Sequence, residues 1–232
     1  PIKTRQRNIE NLRELARSLR EKKVAGVDIW VALTRRAVDN NKNLSTPTRS
    51  QMDNVIQDLA IVTVGKEAFE YLKQYQNITH KLDSIARWSP QGYETDPMVD
   101  RFLDELKLLG ADRTLAVEDL DTHRGADFKP EINDKSTGQI KHTYFYHFMS
   151  YVTHDAFAVT CGSLLHEARD DGSSAEDHYA GVLGIEMGKH MRAQRETSPN
   201  RTNLESWPAL MGAAYGIRGV QYGLPENNRG MD

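Results

Sequence analysis

The sequence predicts a mainly α-helical protein: a multi-helix orthogonal bundle with one long ordered loop and at most a short strand. Three observations predict it. Apolar residues recur at spacings of three and four through most of the 232-residue chain. Helix punctuation stands at the edges of those periodic stretches, as in Asp96-Pro97 with Gly110, and at Ser174. A single stretch, 111–138, lacks the helical period.

Taken in order, Ile9, Leu12, Leu15, Ala16 and Leu19 line one face of an amphipathic helix over 3–22. Ile29, Trp30, Leu33 and Val38 mark a second over 28–40. Ser50 is the expected cap of a third, and 65–88 reads as a long fourth closed by "SPQG". Asp96 can accept an orphan amide and Pro97 suits the first helical position, so a fifth helix runs from there to Gly110. Residues 111–138 form a long loop with a short strand at "TLAVE". Periodicity resumes at Gln139 and continues to about 170. Ser174 then caps a helix reaching about 195, and "TSPNRTN" separates a last segment beginning at Leu204. We expect two regions: 1–110, a helical region suited to an adaptor or export role, and 111–232, a helical domain carrying the chemistry.

Composition narrows the function classes. The chain is 38% hydrophobic and 27% charged, with no apolar run long enough to span a bilayer, so a soluble protein without a membrane span is expected. One cysteine, Cys161, excludes an internal disulfide and reads as a small core residue. The start of the sequence has no export-signal pattern, so synthesis in the cytoplasm is expected, with export left to a dedicated secretion system. Net charge is −3, and the weakly basic first helix lacks interleaved aromatics, which argues against nucleic acid as partner.

Six of the eight histidines, at 142, 147, 154, 166, 178 and 190, fall within 49 residues. Imidazoles at that density suit proton transfer or a transition metal, and Glu167, Asp170, Asp171, Asp177 and Glu186 are the nearby carboxylates. In one straight helix His142 and Glu167 would lie about 37 Å apart and could not cooperate. A corner at "YVTHDA", with Asp155 capping a new helix from Ala156, would fold the stretch into a hairpin and set His142 opposite His166 and Glu167. Gly181, Gly184 and Gly188 share a face with Asp177, and each costs about 1 kcal/mol against alanine inside a helix. Close approach by another backbone would offset that and draw Asp177 toward the hairpin carrying His142, His166 and Glu167. Glu186 and His190, on another face, read as a surface pair.

From these residues we expect Glu167, Asp177, His142 and His166 to be catalytic, with Lys141 and Tyr144 binding substrate. His142, His166 and Asp170 are the set that could hold a divalent metal, although the H-E-x-x-H spacing of a zinc protease is absent. Paired carboxylates fit hydrolysis of a cell-wall glycan. A metal-dependent phosphodiester hydrolase and a non-enzymatic all-α binding protein are the alternatives.

The segment with His142 in "KHTYF", His166 and Glu167 in "LLHEA", and Asp177 and Gly184 in "DHYAGVLG" resembles a helical carboxy-terminal toxin domain of bacterial Rhs-type polymorphic toxins. The resemblance covers residues 141–188. It departs from that pattern at Lys141, where the family has arginine, and at Ala180 and Gly181, where it has an asparagine pair. It implies an exported effector with a helical catalytic domain and a cognate immunity or carrier protein as partner.

Overall fold

The computed structural model describes residues 2–85, 97–111, 115–117, 120, 127–133, 138–153 and 174–216, with side chains in the fourth helix described up to 78. They form eight α-helices: α1 (Ile2–Glu21), α2 (Gly26–Asn41), α3 (Thr48–Thr63), α4 (Lys66–Ile85), α5 (Pro97–Leu108), α6 (Gln139–Val152), α7 (Ala175–Thr197) and α8 (Arg201–Tyr215). A 3-10 turn spans Pro130–Ile132. Among the described residues there is no sheet, only one isolated antiparallel bridge between Phe128 and Gly216. The mainly α, multi-helix architecture is as the sequence predicts.

The bundle is built around α3. Every residue from Gln51 to Thr63 except Asn54 is buried, and all the other helices of the described chain touch it. A helix buried all round must satisfy its polar side chains internally. Arg5 of α1 donates through NH2 to Asp58 Oδ1 at 2.6 Å and through NH1 to Gln57 Oε1 at 2.7 Å. Asn41 Nδ2 reaches the other Asp58 oxygen at 3.0 Å, and Gln57 Nε2 reaches Glu105 at 2.6 Å. One buried network thus ties α1, α2 and α5 to the central helix. Burial raises the Asp58 carboxyl above its usual range, against the opposing pull of Arg5 and Asn41.

Residues on both sides of position 110 share one apolar core. Trp30 of α2 stacks on Tyr215 of α8 with ring centroids 4.3 Å apart, and meets Tyr144 of α6 edge-on at 5.9 Å.

Several boundaries differ from expectation. The third helix starts at Thr48 after Pro47, so Ser50 lies inside its first turn and does not cap it. Leu115, Ala116 and Val117, the described part of "TLAVE", form no strand; the Val117 amide donates to the Val62 carbonyl at 2.9 Å. The last helix starts three residues before Leu204, because Asn200 accepts from the Asn203 amide at 2.8 Å. Gly110 does end the fifth helical stretch, at φ +85°, a conformation that favours glycine.

Candidate functional site

Helix α6 opens after Gly138, whose φ of +115° suits only glycine, and α7 opens on Ser174. The Ser174 hydroxyl oxygen accepts from the Asp177 amide at 3.1 Å, as the sequence predicts. The two helices pack in parallel. Gln139 and His142 meet Asp177, Thr143 and His147 meet Gly184, and His147, Ser150 and Tyr151 meet Gly188. At the far end, Arg192 NH1 donates to the Tyr151 and Val152 carbonyls at 3.1 and 2.7 Å, capping α6.

For Gly184 and Gly188 the glycine spacing therefore has the cause inferred from the sequence. A side-chain carbon on Gly184 would run into the Thr143 carbonyl oxygen, and one on Gly188 into that of His147. Only a bare backbone lets the helices approach so closely. Their two amino-terminal ends consequently lie side by side, and both carry partial positive charge.

Asp177 sits between these ends. Its Oδ1 accepts from Gln139 Nε2 at 3.3 Å, and its backbone carbonyl accepts from His142 Nε2 at 3.1 Å. A carbonyl only accepts, so this bond requires the proton on Nε2, which in the neutral imidazole puts the lone pair on Nδ1. His142 also meets the ring of Tyr146 edge-on at 5.1 Å.

Lys141, expected to bind substrate, points to α4 and pairs with Glu67 Oε1 at 2.7 Å. Tyr144, expected to bind substrate, is fully buried, donates to the Ile56 carbonyl at 3.2 Å and packs against Trp30, so its place is in the core. Glu186 and His190 do not pair with each other: Glu186 takes Lys189 at 2.7 Å and His190 takes Gln194 at 3.0 Å. His166, Glu167 and Asp170 lie outside the described residues, as do His154, Asp155 and Cys161. The helix that starts at Gln139 ends at Val152, with Thr153 extended at φ −97° and ψ 140°; the second arm of the expected hairpin falls outside the described residues. Among the described residues no group of three His, Cys, Asp or Glu side chains could hold a metal ion, and no helix is long and apolar enough to cross a membrane.

Sequence reasoning missed Gln139, Glu67 and Arg192, because each acts on a partner far along the chain. It counted His147 in the histidine cluster, yet that residue is fully buried with neither ring nitrogen hydrogen-bonded, and is held by burial at a pKa of about 3. Its helical spacing with Ile140, Tyr144 and Tyr151, all core residues, was the available signal. No protein-family model, curated protein or solved structure matches the chain.

Proposed function

We propose that the protein is a hydrolase acting as an exported effector on cell-wall glycan, with its site where the amino-terminal turns of α6 and α7 meet. The observation that carries this reading is the contact of His142 with Asp177, which joins two of the four expected catalytic residues across 35 residues of sequence. His142, oriented by its Nε2 contact with the Asp177 carbonyl, is assigned the proton-transfer role. Glycoside cleavage needs two carboxyl groups, one to protonate the leaving oxygen and one to act as base or nucleophile. Asp177 supplies one and Glu167 is assigned as the other, with His166 positioning it.

The test is release of soluble fragments from purified cell wall by the full chain and by Glu167→Gln and His142→Ala. Each variant should retain its circular dichroism and lose about a hundredfold or more in rate. Undiminished release by Glu167→Gln would overturn the assignment.

A second reading, a non-enzymatic helical binding protein, draws on the same contacts. Asp177 neutralises two helix ends and the glycines permit packing, roles that require no reaction. Wild-type protein without activity on any wall preparation favours it.

A further inference from the structure

Two neighbouring rungs join α4 to α6 on the surface beside His142. Glu67 and Tyr71 are four apart on α4; Lys141 and Phe145 are four apart on α6. The first rung is the ion pair of Glu67 and Lys141, at 2.7 Å, with side chains 56% and 38% exposed. One turn on, Tyr71 and Phe145 meet edge to face with centroids 4.9 Å apart, and Tyr71 is 46% exposed. Phe145 in turn packs on Tyr146 at 5.2 Å, and Tyr146 on His142 at 5.1 Å. A continuous line of rings runs from open surface to the His142–Asp177 contact.

We propose that this patch, Glu67, Tyr71, Lys141 and Phe145, is a binding subsite for a neutral pyranose unit of a glycan chain. The inference rests on the hydrolase reading above and names how its substrate is held. The rung spacing of one helical turn, about 5.4 Å, is the scale of one sugar ring. The half-exposed Tyr71 ring offers apolar surface for the C–H groups of a pyranose, and rigid rings lose little entropy on binding. The carboxylate and ammonium one turn away accept from and donate to ring hydroxyls. The ion pair carries no net charge, so the patch selects a neutral polyhydroxylated ligand over an anionic polymer, which would call for an excess of Lys or Arg. An ion pair this exposed contributes little to stability, which leaves its groups available to exchange partners at small cost.

The test is calorimetric titration of the full chain with a soluble N-acetylglucosamine oligosaccharide. Wild-type protein should bind it with an affinity nearly independent of salt. Tyr71→Ala should weaken binding about tenfold, while Tyr71→Phe, which keeps the ring, stays within about twofold of wild type. Glu67→Gln should weaken binding without lowering the melting temperature. Glu186→Ala, on the exposed face of α7, should bind as wild type does. Binding without cleavage would sink the hydrolase reading and leave the subsite standing. Unchanged binding by Tyr71→Ala, or no binding by wild type, would overturn the subsite, as would binding that salt abolishes.

Discussion

Gly188 of α7 lies against the carbonyl oxygen of His147 in α6, with no room for a side-chain carbon between them. Gly184 stands in the same relation to Thr143 one turn earlier. Alanine is the better helix former, so propensity alone would make Gly→Ala stabilising by about 1 kcal/mol. Here the obstacle is backbone, which cannot rotate away. We expect Gly188→Ala and Gly184→Ala each to destabilise by about 1–3 kcal/mol in urea titration, whereas Glu186→Ala on the exposed face of α7 shifts stability by no more than about 0.5 kcal/mol. A neutral Gly188→Ala would mean the helices are not in this register.

Asp53 joins three helices to α3 at the other end of the bundle. Its Oδ1 accepts from Tyr151 at 2.9 Å and from Arg195 Nε at 2.9 Å, and its Oδ2 from Arg101 at 2.6 Å and Arg195 NH2 at 3.1 Å. Asp53 is buried and the Arg195 side chain is 11% exposed, so Asp53→Asn leaves a nearly dry guanidinium without its counter-charge. That should cost about 3 kcal/mol or more. Arg101→Ala removes a partner 42% exposed and should cost less than about 1 kcal/mol. The ratio of the two costs, read from urea midpoints at constant slope, tests whether burial sets the worth of each pair.

What could be read from the sequence follows the range of the interactions. The Ser174 cap and the Gly110 stop depend on residues within a turn of themselves, so both were legible. The glycine face of α7 was legible as a demand for close approach, and of the three groups expected near Asp177, His142 meets its backbone carbonyl while His166 and Glu167 lie outside the described residues. Other features depend on partners that sequence spacing does not reveal. Asp53 and Asp58 on α3 are buried because arginines arrive from α1, α5 and α7, and no local pattern announces those partners. The partner of Lys141, Glu67, lies 74 residues earlier, so no local spacing announced that pair. Tyr144, expected to bind substrate, is two residues from His142; two residues along a helix is a half-turn, which carries it to the opposite, core-facing side.

The expected division at residue 110 can be tested through Trp30. That ring is almost wholly buried between Tyr215 and Tyr144, which belong to the later half of the chain. Helix α3, on which α6, α7 and α8 also pack, belongs to the earlier half. A fragment of 111–232 would expose the faces that α2 and α3 now cover. We expect it to show no cooperative thermal transition, and Trp30→Ala in the full chain to cost about 3–5 kcal/mol. A fragment that melts cooperatively would establish that the later half folds alone.

His147 gives stability a definite pH dependence. Burial lowers its pKa from 6.5 to about 3, so between those values the unfolded chain binds a proton that the folded chain refuses. A lowered histidine pKa means that the stability it contributes is complete above pH 6.5 and is lost as pH falls toward 3, at up to about 1.4 kcal/mol per unit. Asp58 acts with the opposite sign: burial raises its pKa, so folding takes up its proton and gains as pH falls through that raised value. The two are separated by His147→Leu, which removes one titration and leaves the other. The variant also removes two buried ring nitrogens that have no hydrogen-bond partner, so at pH 7 it should be as stable as wild type or more so. Its advantage should then widen steadily as urea titrations are repeated from pH 6.5 down to 4. A constant difference across that window would mean that the folded protein protonates His147 as readily as the unfolded chain does, which a ring sealed between α6, α7 and Tyr144 could not do.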